Sequence, residues 1–269
     1  KLSSTVTGIL ATKASGSAAG IYIRNAGLIQ SPVGVNATQN GSGKLIVNNA
    51  GTITATTSGI KVSSTAASKA ATIDNTGGTI TVSGGNGVDA QGNTILSLTG
   101  GIINANGSST NSVNAVNISN TAVATHTLTD LIINLVGNGL AINKTSNASV
   151  LLKHVTLNIT DGIGFSDISN LSFASSDTGS NTINVGGTGT GISTTNAEIS
   201  GVNNDSMALL INVLENGIGV QTTGGGVDLT THGLNIDVQN ASGTGLVVAD
   251  GTTTNTTTIG SKVTLDGVA

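Results

Sequence analysis

The sequence predicts an all-β chain: one parallel β-helix of about nine to ten coils, with three short strands in each coil. Three observations point to it. An apolar–small polar–apolar triplet recurs about every 26 residues, a Gly–apolar pair recurs in phase with it, and no stretch keeps a 3.6-residue period with helix caps.

The triplet runs Ile53-Thr54-Ala55, Ile80-Thr81-Val82, Ile103-Asn104-Ala105, Ile133-Asn134-Leu135, Leu157-Asn158-Ile159, Ile183-Asn184-Val185, Ile211-Asn212-Val213, Ile236-Asp237-Val238 and Val263-Thr264-Leu265, in steps of 23 to 30 residues. The paired series is Gly59-Ile60, Gly87-Val88, Gly139-Leu140, Gly162-Ile163, Gly191-Ile192, Gly217-Ile218 and Gly245-Leu246, with Asn114-Ala115-Val116 standing where one Gly is missing. A third apolar set lies upstream of the triplet: Ile46-Val47, Ile73, Leu96 with Leu98, Leu128, Leu151-Leu152, Val227 with Leu229, and Ile259. Two-residue alternation, β-branched content and flanking turn residues make each of these a half-buried strand. A three-strand unit of this size cannot bury its own apolar face, but stacked units can, because the same strand of successive coils pairs in a parallel ladder. The leucine-rich repeat shares the period, but it needs a fixed Leu ladder and an Asn near each strand end, a spacing these units do not keep.

The composition agrees with stacking. Only 8% of the 269 residues are charged, against about 25% in an ordinary soluble domain. A charge in the middle of a stack faces its like in the next coil, so Thr, Ser and Asn are the less costly outward residues. The column Thr54, Thr81, Asn104, Asn134, Asn158, Asn184, Asn212, Asp237, Thr264 reads as such an outward face, hydrogen-bonded from coil to coil. Zero Cys excludes a disulfide framework and thiolate chemistry. A net charge of −4 argues against nucleic-acid binding, and no apolar run approaches membrane-helix length, so no membrane insertion by this segment is expected. A start at Lys1-Leu2-Ser3 reads as a mature or excised piece, with residues 1–269 as a single β-helical unit.

One phrase is shared by Ile23-Arg24-Asn25-Ala26-Gly27-Leu28-Ile29, Val47-Asn48-Asn49-Ala50-Gly51-Thr52-Ile53 and Ile73-Asp74-Asn75-Thr76-Gly77-Gly78-Thr79-Ile80. Over residues 20–83 these repeats resemble the passenger domains of bacterial autotransporters, the type V secreted proteins of Gram-negative bacteria; beyond them the phrase decays into the general period. The resemblance implies a right-handed β-helix, export through both membranes, and display on the cell surface or release from it. The translocator barrel of that family is not represented: Leu265-Asp266-Gly267-Val268-Ala269 lacks the alternating aromatic strands it would need.

Enzymatic alternatives find little support. The nearest string to a serine-protease passenger's Gly-Asp-Ser-Gly-Ser is Ser176-Asp177-Thr178-Gly179-Ser180, and no Gly-Asp-Ser-Leu lipase block occurs. Carbohydrate-active β-helices need clustered carboxylates, basic groups and aromatic platforms. This chain has one Arg and three aromatics, Tyr22, Phe165 and Phe173. Asp161 and Asp167 around Phe165 are the best local acids and read as turn residues. His126, His154 and His232 are spaced by about one and three periods, so His126 and His154 could stack on adjacent coils, but two ligands make a weak metal site and all three read as surface or turn residues. Gly187-Thr188-Gly189-Thr190-Gly191 lacks the Lys and helix of a phosphate loop, and Gly84-Gly85-Asn86-Gly87-Val88-Asp89 is a single copy of a calcium nonapeptide that works only in tandem. The expectation is no catalytic residue, no cofactor and no metal.

Charge is distributed unevenly. Residues 1–153 hold eight basic and three acidic groups, and residues 154–269 hold one basic and ten acidic, so the halves are +5 and −9. In a rod, position along the chain becomes position along the axis. The basic end, with Arg24, Lys44, Lys61 and Lys69, is expected to meet anionic polymers such as host glycosaminoglycans, and pairing of basic with acidic halves would give self-association. Taken with the resemblance, these features make the expected function that of a surface adhesin. It would bind an extracellular-matrix protein, a glycan or itself through the lateral face, using those four cations or the column Asn104, Asn134, Asn158, Asn184 and Asn212. The alternatives are a released effector that binds a host cell-surface receptor, a carbohydrate-active enzyme, and an inert stalk.

Overall fold

The computed structural model describes the chain except residues 121–123, 145–147, 167–170, 175–178, 195–196, 199, 202–208, 224–226, 230–233, 250–257, 260–261 and 266–269. The described residues form strands and turns and no helix. The protein is a parallel β-solenoid, in which strands pair in parallel with their counterparts one coil away. Its first sheet has eleven strands, from Leu2–Ser3 through Thr52–Ala55 and Ile132–Val136 to Lys262–Leu265. One strand per coil makes the coil number close to that read from the repeat.

The second face starts at Thr7–Lys13 and Val33–Gln39 and ends at Thr244–Ala249, and the third starts at Ile21–Asn25 and Leu45–Asn49 and continues through Leu171–Ala174. Strands Ser58–Asp74 and Gly85–Thr99 bend from the second face into the third without a break, which joins the two into one 16-stranded sheet. A three-stranded ladder of Ala197–Glu198, Val227–Leu229 and Thr258–Ile259 lies toward the C-terminal end.

The triplet series is the spine of the core. Ile29, Ile53, Ile80, Ile103, Ile133, Leu157, Ile183, Ile211 and Ile236 stand in register in the first sheet, all no more than 2% exposed. Burying one such side chain contributes roughly 1.5–3 kcal/mol, and each also meets its equivalents above and below. The upstream apolar set forms a second inner column: Val47, Ile73, Leu98, Leu128, Leu152 and Phe173 are in register on the third face and buried. Phe165 and Phe173 meet across the interior edge to face, with ring centroids 6.0 Å apart.

The Gly–apolar series divides into two classes. Gly59, Gly87, Ala115, Gly191 and Gly245 precede the inner residues Ile60, Val88, Val116, Ile192 and Leu246. Leu140, Ile163 and Ile218 lie two residues earlier in register and are half-buried, because Ile142, Phe165 and Val220 hold the inner column in those coils. The small residue has a steric cause: a Cβ on Gly59 would collide with Ile80 Cγ2 of the first sheet and the Gly87 carbonyl of the next coil. The second face leaves the corner so close to the first that the position admits only Gly or, at Ala115, a methyl group.

The corner from the third face to the first explains the shared phrase. Asn25, Asn49 and Asn75 turn inward and are at most 8% exposed. Asn25 Nδ2 donates to Asn49 Oδ1 at 2.7 Å, and Asn49 Nδ2 donates to Asn75 Oδ1 at 2.6 Å. Asn75 ends this buried amide ladder by donating to the carbonyl of Gly78. In the next coils the corner passes to Gly100, Asp130 and His154, all with left-handed backbone (φ 74°, 52° and 53°), and the ladder stops.

Candidate functional site

The outward Asn column lies on the first sheet. Thr54, Thr81, Asn104, Asn134, Asn158, Asn184, Asn212 and Asp237 are in register. The amides are half-buried and chained: Asn134, Asn158, Asn184 and Asn212 each donate Nδ2 to Oδ1 of the Asn one coil nearer the N-terminus, at 2.8 Å. Asn104 begins the chain by donating to Thr81 Oγ1 at 3.4 Å. Asn104, Asn134, Asn158 and Asn184 each spend one donor and one acceptor on the ladder, Asn212 spends one donor, and the remaining groups face solvent or a partner. Opposite Asn212 stands Asp237, whose carboxylate accepts from Gln239 Nε2 at 2.9 Å. A carboxylate cannot donate, so the chain of amide donors ends there.

The four predicted cations do not share this sheet. Arg24 is exposed on the third face, and Lys61 is half-buried on the second. Lys44 and Lys69 lie at the corner between those faces, just before Leu45–Asn49 and just before its partner segment in the next coil. The sequence-predicted residues therefore form an amide column on one face and a basic group around the opposite corner.

Residues 1–73, the first three coils, contain six Lys or Arg and no Asp or Glu; the first carboxylate is Asp74. Among the described residues, none of Arg24, Lys44, Lys61 and Lys69 is paired with a carboxylate. The acids have structural partners instead. Asp74 accepts from the Thr76 N–H, Asp89 from Asn117 and Gln91, and Asp130 from His154. Asp161 accepts from the N–H and hydroxyl of Thr188, and Glu215 from the Gly187 N–H at 2.7 Å. The Gly-rich string at 187–191 is thus a turn held between carboxylates of the coils below and above, and no phosphate loop. Asp161 is tied to that turn and Phe165 is core, while Asp167, Asp177 and His232 lie outside the described residues.

The histidines correct the expectation of surface or turn residues. His126 occupies an inner column between Leu96 and Val150 and is fully buried; its Nδ1 accepts the Leu96 backbone N–H at 3.0 Å. Burial, which penalises the charged form, lowers its pKa from 6.5 to about 4. His154 is at the left-handed corner, where Nδ1 lies 2.8 Å from Asp130 Oδ1. It stacks on Asp130 rather than on His126, because its coil presents Val150, four residues earlier, to His126. Periodicity alone could not show this, since the spacing of 28 residues differs from the local coil length by those four. Among the described residues no group of three or more His, Asp or Glu could hold a metal ion, and no helix is long and apolar enough to cross a membrane.

The geometry defines a parallel β-solenoid with one amide-laddered face and one carboxylate-free basic corner. No family model, no curated protein and no solved structure matches this chain.

Proposed function

We propose that this chain is the displayed passenger segment of a bacterial autotransporter and acts as a non-enzymatic adhesin through the lateral surface of the solenoid. The Asn-x-Gly-x-Ile phrase supports the class, and its Asn residues prove to be the buried ladder Asn25–Asn49–Asn75. One observation carries the adhesive reading: the axial separation of charge. Among the described residues coil order follows chain order, so the division of the sequence into a +5 half and a −9 half becomes a division along the rod, with Asp161, Glu215 and Asp237 on separate coils of the acidic half. Such a rod attracts anionic surfaces at one end and the acidic half of a second copy along its length. It would work outside the cell, on the bacterial surface or after release.

The test is display of the chain on a non-adherent bacterial host. Adherence to matrix-coated or glycan-coated surfaces, or clumping of the cells, is expected at low ionic strength and should fall steeply at about 0.5 M salt, where the Debye length drops to a few ångströms. Display without adherence or clumping at either salt concentration overturns the reading.

A further inference from the structure

We infer that the corner between the second and third faces of the first three coils binds a linear sulfated polysaccharide. This rests on the adhesin reading and names its ligand. The corner is made of residues 14–20 in the first coil, 40–44 in the second and 65–69 in the third. It forms an open groove of about 560 Å³ lined by Gly16, Asn40, Gly41, Ser42, Ala66 and Lys69, among others. Lys13 enters the corner from the second face, and Lys44 and Lys69 leave it toward the third.

The groove is rigidly built. Ser42 N–H donates to the Ser17 carbonyl, and Gln39, fully buried beneath the turn, donates to the Ala19 carbonyl and accepts from Gly41 N–H. Asn40 Oδ1 receives the N–H and hydroxyl of Thr65. Lys69 is anchored by one hydrogen bond from Nζ to the Ser42 carbonyl at 2.6 Å, which holds its charge at the groove while leaving two donors.

Lys44 and Lys69 come from adjacent coils at neighbouring register positions, so their like charges repel, and no carboxylate within the first three coils relieves them. A ligand with regularly spaced anions would relieve them. A chain running along the axis across the corner would meet Lys44 and Lys69 in two adjacent coils spaced about 4.8 Å apart. Compact ammonium groups beside Ser and Asn suit sulfates on a hydroxylated polymer. A nucleic acid would call for stacking aromatics and Arg, and the groove has neither.

The probe is heparin, with N- and O-desulfated heparin and single-stranded DNA as comparisons, titrated into the purified chain at 50 mM and 200 mM salt. The Lys44→Gln, Lys69→Gln pair is expected to weaken heparin binding about tenfold. It should also flatten the salt dependence, with circular dichroism and melting unchanged. Arg24→Gln with Lys61→Gln removes the same charge away from the groove and is expected to change affinity less than about threefold. Equal losses in the two pairs, equal binding of desulfated heparin, or tighter binding of DNA would each overturn the assignment. Cells that still adhere while displaying the Lys44/Lys69 variant would leave the adhesin reading standing and remove this ligand. A chain that binds heparin without making cells adhere would do the reverse.

Discussion

His126 and Leu96 are joined across one coil by a hydrogen bond of 3.0 Å from the Leu96 backbone N–H to the imidazole Nδ1, inside the apolar core. An imidazolium has no lone pair at Nδ1, so protonation would break this bond and place a charge in the buried interior. The folded chain therefore takes up this proton only near pH 4, while the unfolded chain takes it up near 6.5. Between those values the unfolded state holds more protons, so stability falls as the pH is lowered. The contribution is fully present above 6.5 and is lost by about 4, amounting to about 3 kcal/mol. Urea midpoints measured at pH 7.5 and 4.5 should differ more for the wild type than for His126→Leu. Equal shifts in both would show that other groups set the acid sensitivity.

Asn49 sits between two amides. Asn49→Ala removes the donor for the buried Asn75 Oδ1 and leaves Asn25 Nδ2 with only the Gly27 carbonyl. A cost of about 2–4 kcal/mol is expected. Because a solenoid's stability is the sum of its coils and their interfaces, the first three coils should lose amide-exchange protection before the rest.

The outer ladder should be more forgiving. Asn158 donates to Asn134 and accepts from Asn184, but it is half-buried, and water can replace either partner. Asn158→Thr should be close to neutral, since Thr54 and Thr81 hold the same column. Asn158→Asp places a carboxylate against the Asn134 carbonyl oxygen and should cost about 1–2 kcal/mol, read as a shift in thermal midpoint.

Glycine at position 59 is required by packing rather than by backbone angle. Gly59→Val meets Ile80 of the facing sheet and the Gly87 backbone, and a loss of about 3 kcal/mol or more is expected. Gly27→Ala is the control, because nothing stands within 4 Å of its Cβ. Similar melting curves for the two variants would refute the close approach of the two sheets.

At the left-handed corner, His154→Gly exchanges a strained backbone for a relaxed one while losing the contact to Asp130. These effects are of similar size, about 1 kcal/mol each, so the variant should stay within about 1 kcal/mol of wild type. His154→Val keeps the strain and loses the contact, and it should melt clearly lower.

Much of this solenoid was legible because each coil repeats the same local problem. The triplet Ile53-Thr54-Ala55 and its successors put an Ile inward and a Thr or Asn outward in every coil, and two-residue alternation is a property of one strand alone. The upstream set from Val47 to Leu152 was legible for the same reason. The Gly–apolar series was legible only in part. Gly139 and Gly217 resemble Gly59 in sequence, yet their coils enter the second face two residues earlier, and only pairing with the neighbouring coil sets that register.

The sequence by itself determined the architecture, the Thr- and Asn-rich outer column and the division of charge into a basic and an acidic half, since all three follow from residue type and period. Tertiary structure alone decided that Asn25, Asn49 and Asn75 turn inward while Asn104 to Asn212 face outward. It also decided that His126 is core while His154 is corner, and that Lys69 lines a groove at the corner that Lys44 leaves, while Arg24 and Lys61 lie on separate faces. Coils of 23 to 30 residues differ in the lengths of their corners. What a polar side chain meets therefore depends on how neighbouring corners align across the stack, and no single coil carries that information.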